Sequence, residues 1–282
     1  MPDDASPSHT SLVVRTALVT GAARGIGRAT VDALVDRGWR VVAGVRHPSA
    51  VVFDHGAVTV VQLDVTDAAS VRDGVAAAQD VAGGALDAVV SNAGYALLGA
   101  IEDVGMDEVR AVFETNTFGA LAVVQATLPA MREAGGGTVV FVSTIGASLP
   151  TPLLGAYRAS KAALNALADV LALEGRPFGI RVGRVEPGMV ATEFSQATRR
   201  SGSITDPEGP YEALRAALFQ GMGAWRARYE STAADVAAEI VRIIEDPNAE
   251  QVTLVGDDAK HLSGSDEDGI LDFLGAEWPR RP

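Results

Sequence analysis

Tyr157 and Lys161 stand four residues apart in the run Gly155-Ala156-Tyr157-Arg158-Ala159-Ser160-Lys161. On a helix this spacing stacks both side chains on one face, with the ammonium about one turn from the phenol. An ordinary phenol has a pKa near ~10 and exchanges protons poorly at neutral pH. A fixed positive charge beside it favours the phenolate and turns the tyrosine into a usable acid or base. Taken alone the pair is a common coincidence, so its meaning depends on the elements that would position it.

Those elements alternate. β-rich runs at 15–20, 40–45, 58–63, 87–91, 138–143, 180–186 and 251–255 are separated by alanine-rich helical stretches at 26–37, 68–81, 106–133, 157–174 and 232–244. Strict alternation predicts an α/β fold, a doubly wound parallel sheet of the Rossmann type with about seven strands and helices on both faces. Such sheets bind ligands beyond the carboxyl ends of their strands. The long connections at 146–154 and 189–210 are therefore expected to shape a substrate pocket. The organisation expected is a flexible arm over 1–13 and one catalytic domain over 14–260, with a substrate-loop region at 190–230. A tail follows over 261–282.

The first strand runs into Thr20-Gly21-Ala22-Ala23-Arg24-Gly25-Ile26-Gly27, which opens the first helix. Gly21 permits a tight turn, Gly25 lets backbone approach a pyrophosphate, and Gly27 lets helix and strand pack closely. The helix N-terminus offers free N–H groups to the anion. Strand, glycine loop and helix in this order predict a dinucleotide site.

Composition narrows the partners. Acidic residues outnumber basic ones by 36 to 23, and a net charge of −13 argues against nucleic acid. The apolar run at 12–19 is broken by Arg15, is too short for a membrane span and lacks a signal-peptide layout, so a soluble cytoplasmic protein is expected. With no cysteine, thiolate catalysis and Cys-ligated zinc are excluded. His9, His47, His55 and His261 have no paired ligand spacing, and no metal is expected.

With Thr20 to Gly27, Asn92-Ala93-Gly94, Tyr157 to Lys161 and Pro187-Gly188 occurring in that order, the chain resembles the short-chain dehydrogenase/reductase family over roughly residues 14–256. The resemblance implies a nicotinamide-dependent oxidoreductase. It implies that Tyr157 is the general acid toward a carbonyl oxygen, while Lys161 depresses its pKa and holds the nicotinamide ribose. Asn116 matches the asparagine that anchors a proton-relaying water. The family places a catalytic hydroxyl thirteen residues before the tyrosine, which here is Thr144; a shift of one residue in the loop would give the role to Ser143.

For the cofactor, the resemblance implies contacts from Gly21, Arg24, Gly25, Ile26, Gly27, Asp64, Val65, Asn92, Ala93, Gly94, Tyr157 and Lys161. It adds Pro187, Gly188, Val190 and Thr192 at the nicotinamide carboxamide. Asp64 matches the acceptor for the adenine amino group. Val45 stands where an acidic residue would bind the ribose hydroxyls of NAD. Arg46 follows it and Arg24 lies in the glycine loop, so two guanidinium groups are available to a 2′-phosphate, and NADP(H) is favoured over NAD(H).

Leu214, Leu218, Phe219, Met222 and Trp225 recur at helical spacing, which predicts mostly packing and in part an apolar lid. Tyr95, Leu97 and 149–154 add apolar surface at the ligand edge. The stretch from Asn92 through Pro187 is most similar to the 17β-hydroxysteroid and retinol dehydrogenase-like branch. That similarity points to a ketoreductase acting on a fairly hydrophobic small-molecule ketone or alcohol. Two other readings stay open: an epimerase or dehydratase using bound NADP, and a cofactor-sensing binding protein. Pairing through the long helices at 107–133 and 157–174 is expected to give a homodimer or homotetramer.

Overall fold

Valine-rich, β-branched runs are most stable as strands in a sheet covered on both sides. Seven of them form one parallel sheet: β1 (Thr16–Thr20), β2 (Arg40–Val45), β3 (Val58–Gln62), β4 (Ala88–Ser91), β5 (Gly137–Val142), β6 (Ile180–Pro187) and β7 (Val252–Val255). Their order across the sheet is 3-2-1-4-5-6-7, the expected doubly wound arrangement. The computed structural model describes residues 14–194, 198–206 and 209–265. The arm expected over 1–13 and most of the expected tail lie outside the described residues.

Side chains alternate between two cores. Ala17, Val19, Val140 and Val185 pack with Val31 and Leu34 of α1 (Gly25–Asp36) and with Ile240 and Ile243 of the helix Ala233–Glu245. Leu18, Val42 and Phe141 face the other way, onto Val75 of α2 (Ala68–Ala82), Val123 of the helix Ala120–Glu133 and Leu164 of the helix Gly155–Gly175. Each fully buried aliphatic side chain stabilises the fold by roughly 1.5–3 kcal/mol. Helix ends follow local chemistry. Asp67 caps α2 by accepting from Ala69 and Ser70 N–H, and Gly83, left-handed at φ 73°, ends it. Thr232 and Asp235 form a capping box on the helix Ala233–Glu245.

Three features depart from the expectation, and one bears it out. The helix foreseen over 106–133 holds a π-turn at Glu114–Gly119 between α-helical segments. The long loop is fastened by two short parallel pairs, Leu97–Leu98 with Arg199–Arg200 and Val190–Ala191 with Ser231–Thr232. As the periodic stripe predicted, Leu214, Leu218, Met222 and Trp225 belong to a helix, Glu212–Tyr229, that packs into a third apolar cluster with Leu98, Ile145, Leu149 and Leu153. The helix Asp257–Leu262 carries the packed body past the tail boundary expected at 261, because Leu262 is buried in that same cluster. Among the described residues no helix is long and apolar enough to cross a membrane.

Candidate active site

The strand order reverses beside β1, whose neighbours are β2 and β4, and the crevice past their carboxyl ends is where such sheets bind ligands. The glycine loop lies there. Gly21 adopts φ +64°, and a Cβ on it would stand 2.9 Å from Ala93 Cα; one on Gly27 would meet Gly21 O at 2.4 Å. Only glycine fits these positions. Asn92 and Ala93 hold the loop from β4: their N–H groups donate to Thr20 Oγ1 at 3.0 and 3.1 Å, and Asn92 Nδ2 donates to Thr20 O at 2.9 Å. At the start of α1, Arg24 makes no side-chain cap bond and the first turn has no acidic residue. Its N–H groups are left for an anion, so the cradle fits a pyrophosphate. Ile26 packs into the first core beneath it.

Val45 is buried, whereas Arg46 and Arg24 are exposed, and neither guanidinium is taken up by an ion pair among the described residues. Asp64 Oδ1 accepts from Thr66 N at 3.0 Å and Thr66 Oγ1 at 2.7 Å. Partial burial opposes its ionisation. The Thr66 hydrogen bonds and the charges of Arg46 and His47 outweigh burial and hold its pKa below the usual value. Val65 is buried against Gly119.

The π-turn turns Asn116 inward, fully buried. Its Oδ1 accepts from Tyr95 N at 3.0 Å, and its Nδ2 donates to Tyr95 O and Ser160 Oγ, both at 3.0 Å. Thr117 Oγ1 donates to Ser160 O at 2.8 Å, which ties the turn to the helix carrying Tyr157. π-Turns of this kind concentrate at functional sites. A Cβ on Gly94 would stand 3.0 Å from Asn116 Oδ1 and 3.4 Å from Lys161 Nζ, so the two side chains approach each other across a residue without one.

The two neighbouring hydroxyls part company. Ser143 Oγ donates to Asn165 Oδ1 at 2.5 Å, and Asn165 Nδ2 donates to Glu186 Oε1 at 3.0 Å, a buried chain leading away from the crevice. Thr144 Oγ1 accepts from Gly146 N at 3.1 Å, and Thr144 lies close enough to Tyr157 to draw the phenol's pKa down. Thr144 is therefore the hydroxyl brought to Tyr157, and Ser143 is not.

The charge state differs from the expectation. The Tyr157 pKa is raised, not lowered: burial is the larger influence, and Thr144 pulls only part of the way back. Lys161 is 5% exposed, donates from Nζ to Val142 O at 2.8 Å, and has its pKa lowered from 10.5 to about 8 by burial. In the protein alone the pair thus sits as a protonated phenol beside an amine that titrates near neutrality.

Beyond β6, Pro187 O accepts from Thr144 Oγ1 at 3.4 Å, and Val190 enters the short pair with Ser231. Thr192 reaches the glycine loop, where a Cβ on Gly25 would lie 3.5 Å from Thr192 Cβ. The Phe194 ring lies 6.2 Å from that of Tyr157. Sequence reasoning missed Ser160, Asn165 and Asp258, which support these groups from behind. Ser160 lies within the Tyr157-to-Lys161 run and Asn165 one turn further on the same helix, so both stood near a visible motif; Asp258 had no such signal.

A family described as short chain dehydrogenase matches residues 15–202. A 3-ketodihydrosphingosine reductase from Bacteroides thetaiotaomicron is 37% identical over 194 residues, covering 69% of this chain and 70% of that protein. The crystal structure of a short-chain dehydrogenase from Streptomyces avermitilis matches with a TM-score of 0.78 at 32% identity, covering 94% of this chain and 92% of that one. One from Burkholderia cenocepacia in complex with NADP has a TM-score of 0.72 at 25% identity, covering 93% and 98%.

Proposed function

Because the chain belongs to the short-chain dehydrogenase/reductase family, we propose that it is an NADP(H)-dependent oxidoreductase interconverting a ketone and a secondary alcohol on a fairly hydrophobic small molecule. The observation that carries this reading is the convergence of Tyr157, Thr144, Lys161 and Asn116 at the crevice edge, where Thr144 draws down the Tyr157 pKa and Asn116 and Lys161 meet over Gly94. Bound NADPH supplies the hydride for the carbonyl carbon. Gly21, Gly25, Ile26 and Gly27 hold the pyrophosphate together with the α1 N-terminus, and Asn92, Ala93 and Gly94 wall the crevice. Asp64 and Val65 receive the adenine, while Pro187, Gly188, Val190 and Thr192 receive the carboxamide.

Tyr157 gives its phenolic proton to the carbonyl oxygen, and its raised pKa keeps that proton in place at neutral pH. Thr144 donates to the same oxygen and stabilises the charge that develops there. Lys161 would resupply the proton, through a water that Asn116 would anchor. The preference for NADP(H) rests on Arg24 and Arg46, exposed and free of ion pairs among the described residues, beside the buried Val45. It is supported by the NADP complex of the Burkholderia relative.

A hydrophobic substrate is supported by the apolar cluster around Ile145, Leu149 and Leu153, by Phe194 against Tyr157, and by the relative named as a 3-ketodihydrosphingosine reductase. Exposed Phe118, Val170 and Leu173 on the two long helices support a homodimer or homotetramer. The test is cofactor oxidation by the purified protein with NADPH and with NADH, against ketones of graded size and polarity. Stoichiometric NADPH consumption with larger apolar ketones is expected. A clear preference for NADH would sink the arginine argument, and NADPH binding without consumption would favour a sensor or a non-redox enzyme.

A further inference from the structure

Asp258 is a carboxylate 1% exposed, in the first turn of the short helix Asp257–Leu262, and no cation forms an ion pair with it among the described residues. Its two oxygens are used by backbone: Oδ2 accepts from Met189 N at 2.5 Å and Oδ1 from Ala259 N at 2.8 Å. Two glycines make room for it. A Cβ on Gly188 would stand 2.1 Å from Asp258 Oδ1, and one on Gly256, itself at φ +100°, would stand 2.5 Å from the same atom. Burying an unpaired carboxylate is costly, and a neutral acceptor could satisfy an N–H more cheaply. A role confined to capping a six-residue helix explains neither the charge nor the reach to Met189.

The reach matters because of where Met189 lies. Residues 187–192 touch Thr144 through Pro187 O at one end and the glycine loop through Thr192 at the other. Backbone holds this segment at Gly188 N, which donates to Val255 O at 3.0 Å, and at Met189 O, which accepts from Ser231 N at 3.0 Å. Among the described residues, the Asp258 carboxylate is the side chain that takes the remaining N–H of Met189.

We propose that Asp258 is a positioning residue that fixes residues 187–192 for the nicotinamide end of the cofactor, an inference that rests on the NADPH reading above. Loss of the carboxylate frees the middle of the segment without disturbing the glycine loop. The nicotinamide half should then be held less well and the adenosine half unchanged.

The experiment uses the full chain and calorimetric titration with two probes, NADPH and 2′-phospho-ADP-ribose, which lacks the nicotinamide. The variant is Asp258→Asn, whose amide cannot accept with both atoms. NADPH affinity is expected to fall about tenfold or more, in keeping with loss of a charge-assisted bond, while 2′-phospho-ADP-ribose binds as it does to the wild type. Equal weakening of both probes, or of neither, overturns the proposal. If Asp258→Asn does not fold, Asp258→Glu keeps the charge, displaces it by one methylene and is read by the same ratio. A wild-type protein that binds neither probe refutes the NADPH reading itself and this inference with it, an outcome distinct from a wild type that binds both and a variant that matches it.

Discussion

Replacing Lys161 with methionine is expected to abolish turnover and yet make the protein more stable at neutral pH. The amine is 5% exposed and its pKa falls from 10.5 to about 8 because burial disfavours the charge. At 1.36 kcal/mol per tenfold change, that fall corresponds to ~3 kcal/mol of folding free energy lost while the amine is protonated in both states, that is, below about pH 8. Methionine has similar length and no charge, but it leaves Val142 O without its 2.8 Å donor, which costs about 1 kcal/mol. The net gain at pH 7 is therefore about 2 kcal/mol.

The sign follows from where the proton leaves. Between about 8 and 10.5 the folded protein has released it and the unfolded chain still holds it, so wild-type stability climbs with pH through that window. The advantage of Lys161→Met should narrow by about 2 kcal/mol between roughly pH 7 and pH 9.5. Urea denaturation of both proteins at the two pH values measures it, because the difference between them cancels every other titrating group. A variant no more stable than wild type at pH 7, or a gap that stays constant with pH, would refute the burial argument for Lys161.

Thr144→Ala should lower kcat by about 10²-fold or more, while Ser143→Ala should mainly lose about 1–2 kcal/mol of stability by leaving Asn165 Oδ1 unsatisfied; steady-state kinetics and thermal melts of the pair separate the two. Gly27→Ala should abolish cofactor binding and destabilise the fold by at least about 2 kcal/mol, since its Cβ would stand 2.4 Å from Gly21 O, a backbone atom that cannot step aside; calorimetry and melting check both. Arg46→Ala should raise KM for NADPH about tenfold and leave that for NADH unchanged, as measured with one ketone and both cofactors; an equal rise for both would remove the 2′-phosphate role.

Much of the fold is local and was visible in the chain. Valine-rich strands and alanine-rich helices announce themselves by composition and period, and the glycine loop announces itself by the strand before it and the helix after it. Seven parallel strands in the doubly wound order follow from that alternation. The apolar stripe of Leu214, Leu218, Met222 and Trp225 was legible as packing, because a periodic stripe needs a partner surface whatever the partner is. The π-turn was not legible. It depends on Thr117 finding Ser160 O and Asn116 finding Tyr95, contacts across 43 and 21 residues that no local propensity encodes.

Which residue types reach the carboxyl edge of the sheet is written in the chain itself: the glycine loop, Asn92 to Gly94, the Ser143-Thr144 pair, Tyr157 and Lys161, and Pro187-Gly188. Its count of thirteen residues before Tyr157 favoured Thr144 but left Ser143 open. Both hydroxyls face the helix Gly155–Gly175, but Ser143 is taken by Asn165 further along it while Thr144 lies near Tyr157, and only packing decides that. Nor could the chain alone give the sign of the Tyr157 shift, since a charge four residues away acts locally while burial is a property of the whole fold. Asp258 is the extreme case. It lies 69 residues from Met189 and in no motif, and only the closing of β7 against β6 brings its carboxylate under the turn it holds.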